Sequence, residues 1–160
     1  MASWRTFDRA EPELASSVRG LVHQYGPGYG YLATIRADGA PRIHPVSPAI
    51  VDGGLFCFLI DSAKRRDLER DDRYALHTFP AEECDDEVYL TGHARPVEDR
   101  DRIRRLAIAL RAEPRADWQL FELSIDLVML TRRSDPAAGD PAKPTSRQIW
   151  RDEGQPGSVQ

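Results

Sequence analysis

The sequence predicts a mainly β protein, a six-stranded antiparallel β-barrel with a few helices. Three observations carry this. Segments rich in β-branched and aromatic residues recur from residue 29 to residue 131. Asp-Gly turns at Asp38-Gly39 and Asp52-Gly53 join the first three of them into a meander rather than a βαβ unit. Only two stretches, 8–25 and 99–111, space their apolar residues as a helix does. Closing six strands into a barrel removes exposed edges, although two packed sheets would fit the same pattern.

Leu14, Val18, Leu21, Val22 and Tyr25 give residues 8–25 a helical spacing, which Gly26-Pro27-Gly28 ends. Residues 29–36 read as the first strand. Residues 41–50 read as the second, and Pro41, Pro45 and Pro48 confine it to an edge or to an irregular, bulged path. The apolar run 55–60 is the third. A short helix over residues 62–70 follows, with Ser62 or Asp61 placed to cap its free N–H groups.

Residues 74–79 form the fourth strand, and the acidic loop Glu82-Glu83-Cys84-Asp85-Asp86 leads to a fifth at 87–97. Residues 99–111 are a helix with Ile103, Leu106, Ala107 and Leu110 on one face, and 120–131 alternate as the sixth strand. Residues 134–146 read as a mobile loop, 146–151 as a last short strand, and the tail from 153 to 160 as disordered. The expected organisation is one domain over residues 1–152.

Composition narrows the function. Hydrophobic residues make up 41% and charged residues 30%, ordinary for a globular protein. No apolar run approaches a bilayer span, and the opening residues lack the apolar core of a signal peptide. The cytoplasm is therefore the expected compartment, with no membrane partner. Twenty-two basic and 26 acidic residues, a net charge of −4, argue against a general grip on nucleic acid.

Two cysteines make neither a disulfide framework nor a thiolate metal site. Cys57 reads as a buried apolar thiol, and Cys84 as a thiol held inactive by neighbouring carboxylates. His23, His44, His77 and His93 lack the short spacing of metal ligands, so no metal site is expected. His44 is the most promising of them, from its place beside the candidate site.

Two segments carry the candidate chemistry. In Asp61-Ser62-Ala63-Lys64-Arg65-Arg66, a hydroxyl and three cations stand at a helix start, where unpaired N–H groups and partial positive charge favour phosphate. A capped surface helix with a solvated basic face explains the same residues. In Pro41-Arg42-Ile43-His44-Pro45-Val46-Ser47-Pro48, Arg42, His44 and Val46 share one strand face, and the prolines leave backbone groups free for a ligand. A protected edge strand accounts for that pattern equally well. No acid–base pair stands out, so no catalytic side chain is assigned.

Taken in order, the Asp-Gly turn, the Pro-Arg-x-His-Pro-Val strand, the Gly-Gly turn, the apolar strand and Ser-x-Lys-Arg-x-x-Leu resemble the pyridoxamine 5′-phosphate oxidase-like family of FMN-binding split β-barrels. The resemblance covers roughly residues 28–133 and extends to deazaflavin-dependent reductases. It implies a homodimer with FMN at the interface, acting as an oxidoreductase that passes hydride to or from a small-molecule substrate. Arg42, Ser62, Lys64 and Arg65 would hold the cofactor phosphate. Pro45, Val46 and Ser47 would line the ring system, with Ile60 and Asp61 beside the ribityl chain. Trp118 or Trp150 would cover the ring from the partner subunit. The alternatives are a deazaflavin coenzyme, which needs a basic groove through Arg65, Arg66 and Arg70, or a non-catalytic flavin- or haem-binding role. Ala63 stands where pyridoxamine oxidases proper carry a second basic residue, so the resemblance reaches the cofactor site rather than pyridoxamine phosphate as substrate.

Overall fold

Hydrogen-bond demand organises the chain into one antiparallel sheet. A computed structural model describes residues 1–26, 28–79, 86–110, 117–132 and 146–154. Its strands are β1 (Gly30–Ile35), β2 (Pro41–Val46), β3 (Pro48–Val51), β4 (Gly54–Leu59), β5 (Arg73–Thr78), β6 (Glu87–Pro96), β7 (Gln119–Arg132) and β8 (Ser146–Arg151). They pair in the order β2-β1-β5-β6-β7-β4-β3, with β8 added to β7.

The barrel follows from one junction. β2 and β3 are the two outer strands of that order, yet Ser47 alone separates them in sequence. The sheet must therefore curl until its two edges adjoin at Ser47. This is the split barrel expected from the sequence, with eight strands in place of six. The predicted strand 41–50 divides because Pro45 and Pro48 withhold ladder donors, so the chain leaves one edge at Val46 and joins the other at Pro48. The short strand 146–151 supplies the eighth.

β7 is the longest strand and serves both halves. One side pairs with β6; the other pairs first with β4, through residues 119–122, and then with β8, through residues 127–132. Ala2 bridges Ile125 in the gap between them. A bulge at Thr91/Gly92 makes Asp126 the extra residue on β7.

The helix expected over residues 8–25 is two helices, α1 (Trp4–Ala10) and α2 (Pro12–His23). Pro12 suits a first helical turn but cannot continue one, and Glu11 breaks to φ −138°, ψ 70°. Ser3 caps α1 by accepting from the Thr6 N–H at 3.2 Å. Trp4 and Phe7 then seal the barrel core, ring to ring at 5.3 Å. The helices α3 (Ala63–Arg70) and α4 (Arg100–Ala109) follow β4 and β6. Asp99 caps α4 through the N–H groups of Asp101 and Arg102.

The main core lies inside the curl and under α1 and α2, centred on Leu32, Leu76, Leu90, Phe121 and Leu130. A second cluster, Phe56, Val97, Leu106 and Leu120, lies against α4. Cys57 is buried as expected, and burial pushes its thiol up to about 12. Cys84 with most of the acidic loop, the stretch 133–145, and the tail from 155 onward lie outside the described residues. No helix among the described residues is long and apolar enough to cross a membrane.

Candidate functional site

The alternation of β2 sets the site. Its pleat turns Arg42, His44 and Val46 inward and leaves Ile43 and Pro45 exposed. Arg42 donates Nε to Asp67 Oδ2 at 2.7 Å, which brings α3 against the strand. One turn earlier on α3, Lys64 Nζ donates to the Pro45 carbonyl at 3.3 Å. The arginine and lysine singled out in the sequence thus stand on the same side of the molecule, across the β2–α3 seam.

Asp67 is the anchor of this seam. It is 4% exposed and accepts from Thr34 Oγ1 at 3.0 Å, from Arg42 and from Arg70 at 3.5 Å. Burial would raise its pKa, but the hydrogen bonds from Thr34 and Arg42 and the Arg42 charge outweigh that and hold it below the ordinary value.

Most cations of α3 are already matched. Arg65 pairs with Glu69 at 2.8 Å and donates to the Asp117 carbonyl at 3.1 Å; Arg66 pairs with Asp61 at 3.0 Å; Arg70 turns to Asp67 and the Ile35 carbonyl. Lys64 has no carboxylate partner among the described residues. Ser62 stands at the N-cap of α3 but makes no capping bond, contrary to the sequence expectation, and Asp61 is drawn to Arg66 instead. The Ser62 hydroxyl is buried and unpartnered, and so is His44 Nε2. An unmet buried polar atom costs about 1–3 kcal/mol, so two at one seam beside an unmatched ammonium fit a ligand rich in acceptors.

Next to the seam, where Ser47 joins the sheet edges, lies a cavity of about 560 Å³, within the usual range for small-molecule sites. Pro45, Val46, Ser47, Ile60 and Lys64 line it, so five of the ten predicted site residues meet in one place. Arg42 and Ser62 belong to the adjoining seam. Asp61 and Arg65 are engaged by side chains of α3, Arg66 and Glu69. Trp150 lies elsewhere, its ring 5.0 Å from Phe7 and packed on the core of its own chain.

The remaining wall was only partly legible in the sequence. Phe56, Phe58 and Ile60 alternate on β4 and its extension, a period-two signal that could have been read. Trp118, expected as a cover from a second subunit, lines the cavity of its own chain, its ring 6.0 Å from Phe58. His23 at the end of α2, Gly28, and Ala109 and Leu110 at the end of α4 also line it. Arg102 fixes α4 there by a double hydrogen bond to Glu122, at 2.8 and 2.9 Å, with its guanidinium 5.2 Å from the Phe56 ring. Apolar walls with one end basic and hydroxyl-bearing suit a flat aromatic group that carries a phosphate.

The fold is shared with a Clostridium acetobutylicum protein of the pyridoxinephosphate oxidase family, related to general stress protein 26 of B. subtilis: 14% identity, 90% of this chain and 97% of that one covered, TM-score 0.64. A haem binding protein from Mycobacterium smegmatis is 23% identical, over 69% of this chain and 51% of that one, with a TM-score of 0.54. An F420 reductase is 20% identical over 64% and 89%, with a TM-score of 0.51. At such identities the likeness is one of fold. No curated protein matches the chain in sequence. The family model of pyridoxamine 5′-phosphate oxidase, however, matches residues 17–132, a span that includes the Arg42 strand, the Lys64 helix and the cavity between them. The chain therefore belongs to the pyridoxamine 5′-phosphate oxidase family.

Proposed function

We propose that this chain is an FMN-dependent oxidoreductase, holding the flavin in the cavity at Ser47 and its phosphate at the β2–α3 seam. The observation that carries this reading is Lys64, unmatched by any carboxylate of the described residues and two positions from the orphaned Ser62 hydroxyl. Lys64 and Ser62 would hold the phosphate with the Arg42 guanidinium, whose Nε alone is committed to Asp67. Val46, Phe58, Ile60 and Trp118 would exclude water from the ring. When bound, the flavin supplies hydride transfer to or from a small molecule, so the protein's part is orientation and electrostatics.

A second copy of the chain is the proposed partner. Tyr31 and Pro45 are paired neighbours on the outer face of β1 and β2, and Ile43 on the same face is 66% exposed. A deazaflavin coenzyme is less well supported, because Arg65, Arg66 and Arg70 are tied to acidic and backbone oxygens rather than open as a groove. His23 in the cavity wall, a residue type that can ligate haem iron, favours haem.

The test is titration of the purified chain with FMN and with riboflavin, followed by flavin absorption and fluorescence. Lys64→Ala is expected to weaken FMN about ten- to a hundredfold, the worth of one charged hydrogen bond, and to leave riboflavin unaffected. Unchanged FMN affinity in that variant would reject the assignment.

A further inference from the structure

His44 is the group at the seam that the phosphate reading leaves unused. On β2 it stands between Arg42 and Val46, and across the ladder it faces Leu32, which is apolar. From α3 it feels Lys64 and Asp67, and from its own strand Arg42. Its Nε2 is buried and has no partner, so the ring is placed but not satisfied.

We infer that His44 is a proton-linked ligand of the bound phosphate: Nε2–H donates to a phosphate oxygen, and Nδ1 takes up a proton as the dianion enters. This rests on the phosphate reading above. The balance is simple: the neutral imidazole, one proton from solvent and the dianion give an imidazolium beside a dianion, and no bond to carbon or phosphorus changes.

The charges explain why uptake waits for the ligand. Burial first, then the charges of Lys64 and Arg42, lower the His44 pKa below 6.5, and Asp67 only partly offsets them. The ring is therefore neutral near pH ~7, below which an imidazole ordinarily charges. Two negative charges beside Lys64 and Arg42 cancel the repulsion that keeps the proton off. Each unit by which ligand binding raises the pKa is worth at most about tenfold in affinity.

The test is calorimetry of FMN binding to the full chain near pH ~7 in two buffers of different ionisation enthalpy. Net proton uptake is expected for FMN and not for riboflavin, which lacks the phosphate. Protons lost by the FMN phosphate itself, whose second pKa is about 6, would register with the opposite sign. His44→Gln keeps an N–H donor but cannot titrate, so its FMN binding should show no uptake. Its FMN affinity should show no tightening where the wild type tightens up to about tenfold from pH ~8 to pH ~6.5. Retained riboflavin binding reports that the variant's cavity is intact. Equal uptake in wild type and His44→Gln, or none in wild-type protein whose FMN affinity still depends on Lys64, overturns the role of His44 alone. FMN bound no tighter than riboflavin overturns the phosphate site with it.

Discussion

Arg42 and Asp67 lie 25 residues apart in sequence, yet Nε of one meets Oδ2 of the other at 2.7 Å, with the carboxylate buried and the guanidinium partly exposed. This pair holds α3 against β2. Asp67→Ala is expected to cost about 2–3 kcal/mol in urea unfolding at neutral pH, since it leaves Arg42 and Thr34 without their acceptor. The difference from wild type should depend on pH in one direction. The folded pKa of Asp67 lies below its ordinary 3.8, so its contribution is complete above that value and disappears as pH falls through the folded pKa. A gap between the two proteins that widened in acid would contradict this.

Gly28 lies in the cavity wall, and a Cβ there would come within 1.7 Å of the Pro48 carbonyl oxygen. Gly92 is as constrained, with a Cβ meeting the Ser124 oxygen at 1.8 Å, but it is remote from the cavity. Alanine at either position should lower stability by about 1–3 kcal/mol through forced backbone shifts. Only Gly28→Ala should also weaken flavin binding by the folded protein. Equal binding in the two variants would show that the wall at Gly28 does not bound the ligand.

The Arg102–Glu122 bridge joins α4 to β7, with about a third of each side chain exposed. Glu122→Gln should cost about 1 kcal/mol, allowing for solvent screening. Because α4 carries Ala109 and Leu110 into the cavity wall, ligand affinity should fall with it. Stability and affinity measured together decide whether α4 is held by this bridge.

Cys57 should behave as an unreactive thiol. Burial pushes its pKa up to about 12, so it holds almost no thiolate at mildly alkaline pH. In a Cys84→Ser background, iodoacetamide should leave native protein unlabelled and modify Cys57 only as urea unfolds the chain. Mass spectrometry of the Cys57 peptide reads this directly.

The fold was legible where the signal is local. Asp52-Gly53 announces its hairpin, and Asp52 indeed takes φ 50° and Gly53 φ 74°. The period-two alternation of β2 puts Arg42, His44 and Val46 on one face, as the structure shows. Pro12 marks the break between α1 and α2, and the apolar spacing that signals a helix, from Leu14 to Tyr25, lies wholly after it. What stayed hidden depends on residues distant in sequence. Asp67 reads as one more charge on a basic helix until the sheet places Thr34 and Arg42 above it. Trp118 reaches Phe58 and the cavity wall of its own chain only through the pairing of β4 with β7, which no local signal announces.

The two hairpins β1–β2 and β3–β4 form from neighbouring residues, but β4 reaches the rest of the sheet only through β7. A nascent chain that has not yet emerged past residue 119 can make both hairpins and still have no ring. A chain cut short before β7 would therefore keep Arg42, Ser62 and Lys64 and lose the strand that seats β4, with its Phe56 and Phe58, in the sheet.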